Sequence, residues 1–332
     1  MTVVGVLGAG SWGTTLSDLL ARKGHSVRLW AFEPEVVEAI NLRHENPSFL
    51  PGCPLAPTLR ATGDPVEAVR GAEMVVCVAP SPVFRRVVEG ASAGIAPRAV
   101  IVSATKGIEP ESLALMSGVL EESLPGRGIA AISGPSFALE VYQQQPTAVV
   151  AAAHDTGTAQ AVQAVFATPR FRVYSHEDLV GVELAGALKN VIAIAAGMLE
   201  GLGLGHNPRA ALITRGLAEM TRLGVAMGAD PLTFAGLAGM GDLILTTTGA
   251  LSRNRALGFA LAGGQSLAEY TAAHRSVAEG ANTARAALAL AARCEVELPI
   301  CEQVESILFE GKTPARALED LMERTLKSEQ WR

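Results

Sequence analysis

Residues 8–13, Gly8-Ala9-Gly10-Ser11-Trp12-Gly13, stand between the apolar run TVVGVL and a helix-period stretch over about 11–23. Three glycines at that spacing, between a strand and a helix, do three separate things. The first permits a tight turn, the second lets phosphates approach the backbone, and the third packs helix on strand. The N–H groups opening the helix then face an anion. The stretch predicts a dinucleotide-binding turn at the head of a doubly wound sheet. Glu33 lies 20 residues past Gly13, at the end of the second strand-like run, HSVRLWAF. A carboxylate there bonds a ribose 2′-OH and disfavours a 2′-phosphate, which favours NAD over NADP unless Arg28 or other basic groups compensate.

The following segments keep alternating. Helix (34–42), strand (58–61), helix (64–70), strand (72–80), helix (82–92), strand (99–105) and helix (110–123) lead to the runs IAAIS, TAVVAAA and FRVYS, with helices between them. Alternation of this kind predicts an α/β fold with a Rossmann-type, doubly wound, mainly parallel sheet. Near Leu179 the strands stop. Helical periods follow over 179–200, 208–227, 231–237, 254–263, 278–293, 300–309 and 314–326. We therefore expect a dinucleotide-binding domain over 1–180 and an all-helical substrate domain over 181–332. The N-terminal MTVVGVLGAG has no basic leader and reads as a first strand, not a signal peptide.

LAGALKNVIAIAAGML (184–199) carries a single charge, Lys189. Charge and Gly186, Asn190 and Gly197 interrupt the run, so it reads as a core helix, not a membrane span. Of 27 basic residues only five are lysines: Lys23, Lys106, Lys189, Lys312 and Lys327. Lysine gives up a proton near neutral pH once desolvated, whereas arginine effectively cannot. An ammonium beside a ketone oxygen stabilises developing alkoxide and then protonates it. Two alternatives for the proton carrier are weak. No Tyr-x-x-x-Lys occurs, and none of the six histidines sits in a glycine-rich strand-end motif. A plainer role for Lys189 is a buried strut paired with Glu183 or another carboxylate.

Lys106, in SATKGIE, lies just past a strand's carboxyl end, where such folds bind ligands. ISGPSFALE (132–140) is a second strand-to-helix turn, bringing Gly134 and Ser136 close to nicotinamide or substrate. In GLAGMGDLILTTTGALSRNRALG (236–258), Asp242 follows a glycine-rich turn, placed to orient Lys189 or bond a substrate hydroxyl. Ser252 is a good helix cap. With Arg253, Asn254 and the free N–H groups of that helix it forms a phosphate grip. The net charge of −6 and the lack of like-charge runs give no sign of a nucleic-acid partner. The four cysteines, Cys53, Cys77, Cys294 and Cys301, form no CxxC pair; they predict neither disulfides nor a zinc site and fit a reducing cytoplasm.

Together GAGSWGT, SATKGIE, SGPSFA, GALKNVIAIAAG, AALITRGLAEM, GLAGMGDLILT, SRNR and VAEG closely resemble the bacterial-type NAD(P)-dependent glycerol-3-phosphate dehydrogenases, in the family's order from residue 8 to 280. The resemblance implies interconversion of dihydroxyacetone phosphate and sn-glycerol 3-phosphate, with NAD or NADP, for phospholipid synthesis. It implies Lys189 as catalytic proton acceptor, and Lys106, Gly134, Ser136, Lys189, Asp242, Ser252, Arg253 and Asn254 as substrate contacts. Cofactor contacts implied are Ser11, Trp12, Lys106, Ala138, Arg253, Val277 and Glu279, beside the turn glycines Gly8, Gly10 and Gly13 and the adenosine-side Phe32 and Glu33. Phe32 stands where many relatives carry His or Arg, and His206 where they often carry an acidic or amide residue; His206 receives no role. A homodimer follows by analogy. Two other readings remain: a 3-hydroxyacid or 6-phosphogluconate-type dehydrogenase, which often has Asn four residues after the lysine where this chain has Ala193, and a non-catalytic nicotinamide-binding regulator.

Overall fold

Val3–Leu7 (β1), Ser26–Trp30 (β2), Arg60–Thr62 (β3), Met74–Cys77 (β4), Val100–Ser103 (β5), Ile129–Ser133 (β6), Thr147–Ala153 (β7) and Phe171–His176 (β8) form one sheet in the order β3-β2-β1-β4-β5-β6-β7-β8. The structure, a computed structural model, describes residues 1–274, 278–326 and 328–329. Every neighbouring pair of strands is parallel except β6 and β7. The near-continuous apolar runs of β1, β4 and β6 are those of strands covered on both faces. Seven helices connect the strands: Ser11–Arg22 (α1), Pro34–Arg43 (α2), Pro65–Val69 (α3), Phe84–Ala91 (α4), Met116–Ser123 (α5), Ala138–Tyr142 (α6) and Thr156–Phe166 (α7). The order reverses at β1, whose neighbours are β2 and β4. Because β1, β4, β5 and β6 run the same way side by side, the loops leaving them share one edge. Gly8, Ser81, Lys106 and Gly134 all lie in those loops, at the crevice where such sheets bind ligands.

From Leu179 on, the described residues are helical: Leu179–Gly201 (α8), His206–Ala226 (α9), Pro231–Ala235 (α10), Asp242–Thr248 (α11), Arg253–Ala262 (α12), Leu267–Ala273 (α13), Glu279–Arg293 (α14), Pro299–Phe309 (α15) and Pro314–Met322 (α16). α8 starts at Asp178, whose carboxylate accepts from Gly181 N at 2.8 Å. It is long and apolar enough to cross a membrane, but 89% of its apolar window is packed inside the protein. α9, α11, α12 and α14 surround it. Ala131, Val150 and Ala152 of the sheet join Leu179 and Val182 of α8 in one small apolar cluster. Glu183, buried on α8, accepts from Ser117 N at 3.0 Å and from its hydroxyl, at the start of α5. Glu183 is therefore committed to α5 and is not the partner of Lys189.

Several elements differ from the sequence expectation. The helix expected over 110–123 begins only at Met116; residues 108–115 make a turn closed by an Ile108–Leu115 bridge, with Leu113 at φ 64°. The strand expected over 58–61 is Arg60–Thr62. The helix expected over 231–237 stops at Ala235, and a π-turn, Leu237–Gly241, follows. α11 and α13 were not anticipated. α11 spells DLILTTT, a poor helix former by propensity. Its Thr246, Thr247 and Thr248 hydroxyls bond back to the carbonyls of Asp242, Leu243 and Ile244 at 2.7 Å each, and packing on α8 holds it helical.

Candidate active site

The glycine turn has the steric form its sequence implies. Gly8 has φ 121°, and a Cβ on it would stand 3.0 Å from the Val78 backbone. A Cβ on Gly13 would fall 1.9 Å from Gly8 O, so α1 can pack this close only without one. A Cβ on Gly10 would meet nothing within 4 Å: it opens onto free space at the N-terminus of α1. A buried amide braces the turn from behind. Asn46 Nδ2 donates to Ala9 O and Thr14 Oγ1, both at 2.8 Å, and Asn46 Oδ1 accepts from Phe49 N at 3.2 Å. Ser11 Oγ donates to Phe49 O at 2.6 Å. Trp12 packs on Phe171, ring centroids 6.5 Å apart, and its Nε1 is buried without a partner among the described residues. Open backbone and a helix start fit a dinucleotide phosphate. Ala138 opens α6 and accepts from Thr15 Oγ1 at 3.2 Å, which keeps it against α1.

The chemical centre gathers four elements. Asp242, 1% exposed at the start of α11, takes Lys189 Nζ on Oδ1 and Lys106 Nζ on Oδ2, at 2.7 Å each. Lys189 Nζ also donates to Thr246 Oγ1 at 2.6 Å, and Lys106 Nζ to Gly134 O at 2.9 Å. Ser136 Oγ donates to the same carbonyl at 2.9 Å, across a turn that Gly134 makes at φ 134°. Lys189 is 6% exposed. Burial lowers its pKa to about 8, Asp242 opposing and the Lys106 charge assisting. An amine with that value changes protonation state readily near neutrality.

The start of α12 closes the site. Ser252 Oγ accepts from Arg255 N at 3.2 Å, so it does cap the helix. Asn254 commits only part of its amide: Nδ2 donates one of its two hydrogens to Asn190 Oδ1 at 2.9 Å and Oδ1 accepts from Gly280 N at 3.0 Å, which leaves the second Nδ2 hydrogen for a ligand. The groups left for a phosphate are the first backbone N–H groups of α12, the second Nδ2 hydrogen of Asn254 and the exposed Arg253 side chain. Glu279, at the start of α14, reaches across to the loop after β4 and accepts from Ser81 N at 3.2 Å and Ser81 Oγ at 2.7 Å. Val277 lies outside the described residues. Phe32 and Glu33 are apart from the lysines, beyond β1 at the end of β2. Phe32 is 77% exposed with its ring edge-on to Trp30, and Glu33 caps α2 through its backbone alone.

Sequence reasoning did not single out Asn46, Ser81, Asn190 or Thr246. Asn190 lies next to Lys189 and was visible as a polar break in an apolar run. Asn46, Ser81 and Thr246 carry no local pattern that marks them; only their long-range partners do.

Comparison with known proteins is consistent along the chain. Residues 3–159 match the family described as NAD-dependent glycerol-3-phosphate dehydrogenase N-terminus, and residues 178–319 its C-terminus. The glycerol-3-phosphate dehydrogenase (NAD(P)+) of Citrifermentans bemidjiense is 55% identical over 329 residues, 98% of each chain. That of Myxococcus xanthus is 51% identical over 98% of each. The crystal structure of glycerol-3-phosphate dehydrogenase from Coxiella burnetii superposes with a TM-score of 0.94 at 40% identity, covering 97% of this chain and 99% of that one.

Proposed function

The chain belongs to the NAD-dependent glycerol-3-phosphate dehydrogenase family, and from that premise we infer how its own residues carry the reaction. It is a glycerol-3-phosphate dehydrogenase, an oxidoreductase that uses NAD(P) to interconvert dihydroxyacetone phosphate and sn-glycerol 3-phosphate. When bound, the nicotinamide supplies or takes the hydride at the substrate's C2.

We propose Lys189 as the residue that moves the proton. In reduction its ammonium bonds the C2 carbonyl oxygen, stabilises the growing negative charge and yields a proton from Nζ. In oxidation the neutral amine takes that proton back. Asp242 and Thr246 fix the direction of Nζ, and Lys106 adds a second positive charge on the far side of the same carboxylate. Gly134 and Ser136 shape the wall beside it. The phosphate is read by Arg253 and the N–H groups opening α12 under the Ser252 cap, while Asn254 holds that helix start in place. The observation that carries this reading is the cluster of buried Lys189 and Asp242 with half-buried Lys106 at the sheet's ligand-binding edge.

Gly8, Gly10, Ser11, Trp12 and Gly13 are proposed to hold the pyrophosphate, and Ala138, Arg253, Val277 and Glu279 the nicotinamide side. Phe32 and Glu33 would face the adenosine ribose. The Glu33 side chain makes no cap bond, which leaves its carboxylate for a 2′-OH and supports a preference for NAD over NADP. We also propose the division at 180/181, a role in supplying phospholipid synthesis, a cytoplasmic location in keeping with four free cysteines, and a homodimer. Lys189→Met tests the centre: NADH oxidation with dihydroxyacetone phosphate should fall by about 10²–10⁴-fold while NADH binding persists. Turnover near wild type would end the assignment. Arg253→Ala should raise the KM for dihydroxyacetone phosphate strongly, and an unchanged KM would remove the phosphate assignment. Paired assays with NADH and NADPH test the ribose reading.

A further inference from the structure

Two helices carry the two halves of the substrate grip, and only glycine separates them. α8 bears Lys189; α12 opens at the Ser252 cap with Arg253 and Asn254. Their backbones touch. A Cβ on Gly258 of α12 would stand 1.9 Å from Ile194 O of α8, and a Cβ on Gly197 of α8 would stand 1.9 Å from Arg255 O of α12. One turn on, a Cβ on Gly201 would lie 2.5 Å from Ala262 Cβ. The residue offsets are nearly constant along the contact, so the helices run side by side in the same direction. The Asn190–Asn254 bond at 2.9 Å and the Arg255–Glu200 ion pair fasten the first turn of α12 to α8, on the N-terminal side of Gly258.

Glycine is a poor helix residue, and most helix pairs settle about 8–10 Å apart on side chains. Here three glycines in two helices remove the spacer. Moving the helices apart by one methyl group would carry the start of α12 away from Lys189, because the phosphate-reading N–H groups are rigid parts of that helix.

We infer that the Gly197–Gly258 contact sets the distance between the phosphate grip and the Lys189 amine, and so selects a ketone with one methylene between carbonyl and phosphate ester. The inference rests on the reading of the site given above. Gly197 and Gly258 are positioning residues, since neither touches substrate. A misplacement of about 1 Å at a reacting centre costs on the order of 100-fold in rate. One methylene is ordinarily discriminated by about 10–200-fold, which is the scale a rigid spacing can supply.

The test compares kcat/KM for dihydroxyacetone phosphate with that for its homologue one carbon longer between carbonyl and phosphate, 1-hydroxybutan-2-one 4-phosphate. Wild type should favour the shorter ketone by at least about tenfold. In Gly258→Ala we expect kcat for the shorter ketone to fall more than its KM rises, and the ratio of the two kcat/KM values to drop about tenfold or more. The ratio is independent of how much protein folds, so a small folded fraction suffices. Gly201→Ala, farther from the site, should lower the ratio less. A ratio unchanged within twofold in both variants, even with lowered thermal stability, overturns the inference and leaves the contact a packing feature. Failure of wild type to reduce dihydroxyacetone phosphate at all would instead strike the functional reading beneath it.

Discussion

Lys189 Nζ and Asp242 Oδ1 lie 2.7 Å apart, both side chains buried, on two helices and 53 positions apart in sequence. A buried ion pair of this kind is poor evidence for stability, because desolvation offsets much of the attraction. Its value lies in what it does to the amine. Burial and the Lys106 charge push the lysine down, Asp242 holds it up, and the balance is a pKa of about 8. That balance suits the pair to the proton transfer proposed for Lys189.

The first prediction concerns pH. With the Lys189 pKa at about 8, reduction needs the ammonium and oxidation needs the amine. The kcat/KM for dihydroxyacetone phosphate should be level in mild acid and fall above about pH 8. That for glycerol 3-phosphate should rise through the same value. Initial rates in both directions across neutral to alkaline pH check this, and the absence of opposed inflections would count against Lys189.

Asp242→Asn leaves two ammonium groups facing each other without the intervening charge. Loss of the favourable partner should lower the Lys189 pKa below about 8 and move the inflection in reduction to lower pH. The kcat should drop by about 100-fold, within the usual range for misdirected acid–base catalysis. A variant with the wild-type pH profile would mean that Asp242 does not act on Lys189.

Two buried carboxylates predict a pH dependence of stability. Glu183, bonded to Ser117, and Glu219, which accepts from Ile300 N at 2.8 Å at the start of α15, are both raised by burial to about 7. Their unfolded values are about 4.3. The folded state thus binds more protons between these limits. The stability they contribute is full below the unfolded value and is lost as pH rises through about 7. Glutamine stays neutral. The Tm of Glu183→Gln/Glu219→Gln relative to wild type should therefore climb from mildly acidic to mildly alkaline pH; a difference constant with pH would refute the assignment.

Asn46→Ala tests the brace behind the glycine turn. It removes two donors to Ala9 O and Thr14 Oγ1 in a fully buried place. Thr14 Oγ1 and Ala9 O keep their mutual bond at 3.0 Å, but Phe49 N loses its acceptor, and one group left unpaired costs about 1–3 kcal/mol. We expect a lower Tm together with weaker NADH binding in a fluorescence titration. Unchanged affinity would show that the turn keeps its shape without the amide.

Much of the site was legible because its parts carry local signals. The glycine spacing, the lone lysine in an apolar helix and the serine cap before Arg253 each express a constraint that acts within a few residues. The structure gave two other sequence candidates an additional or different use. Asn254 spends part of its amide on Asn190 and Gly280, tying the start of α12 to α8 and α14, and Glu183 caps α5 when it was one of the carboxylates considered for Lys189.

The chain alone determined the alternation of strands and helices, the change to helix after the eighth strand, and which residues are chemically suited to move a proton. Those follow from periodicity, propensity and side-chain chemistry, all of which act over short range. Tertiary structure decided which carboxylate the amine meets, that one carboxylate serves two lysines, and how closely α8 and α12 approach. Each of these depends on segments tens to more than a hundred residues apart being fixed by packing, as Lys106 and Asp242 are at 2.7 Å. No local pattern encodes that distance; it exists only once the sheet and the helices have closed on one another.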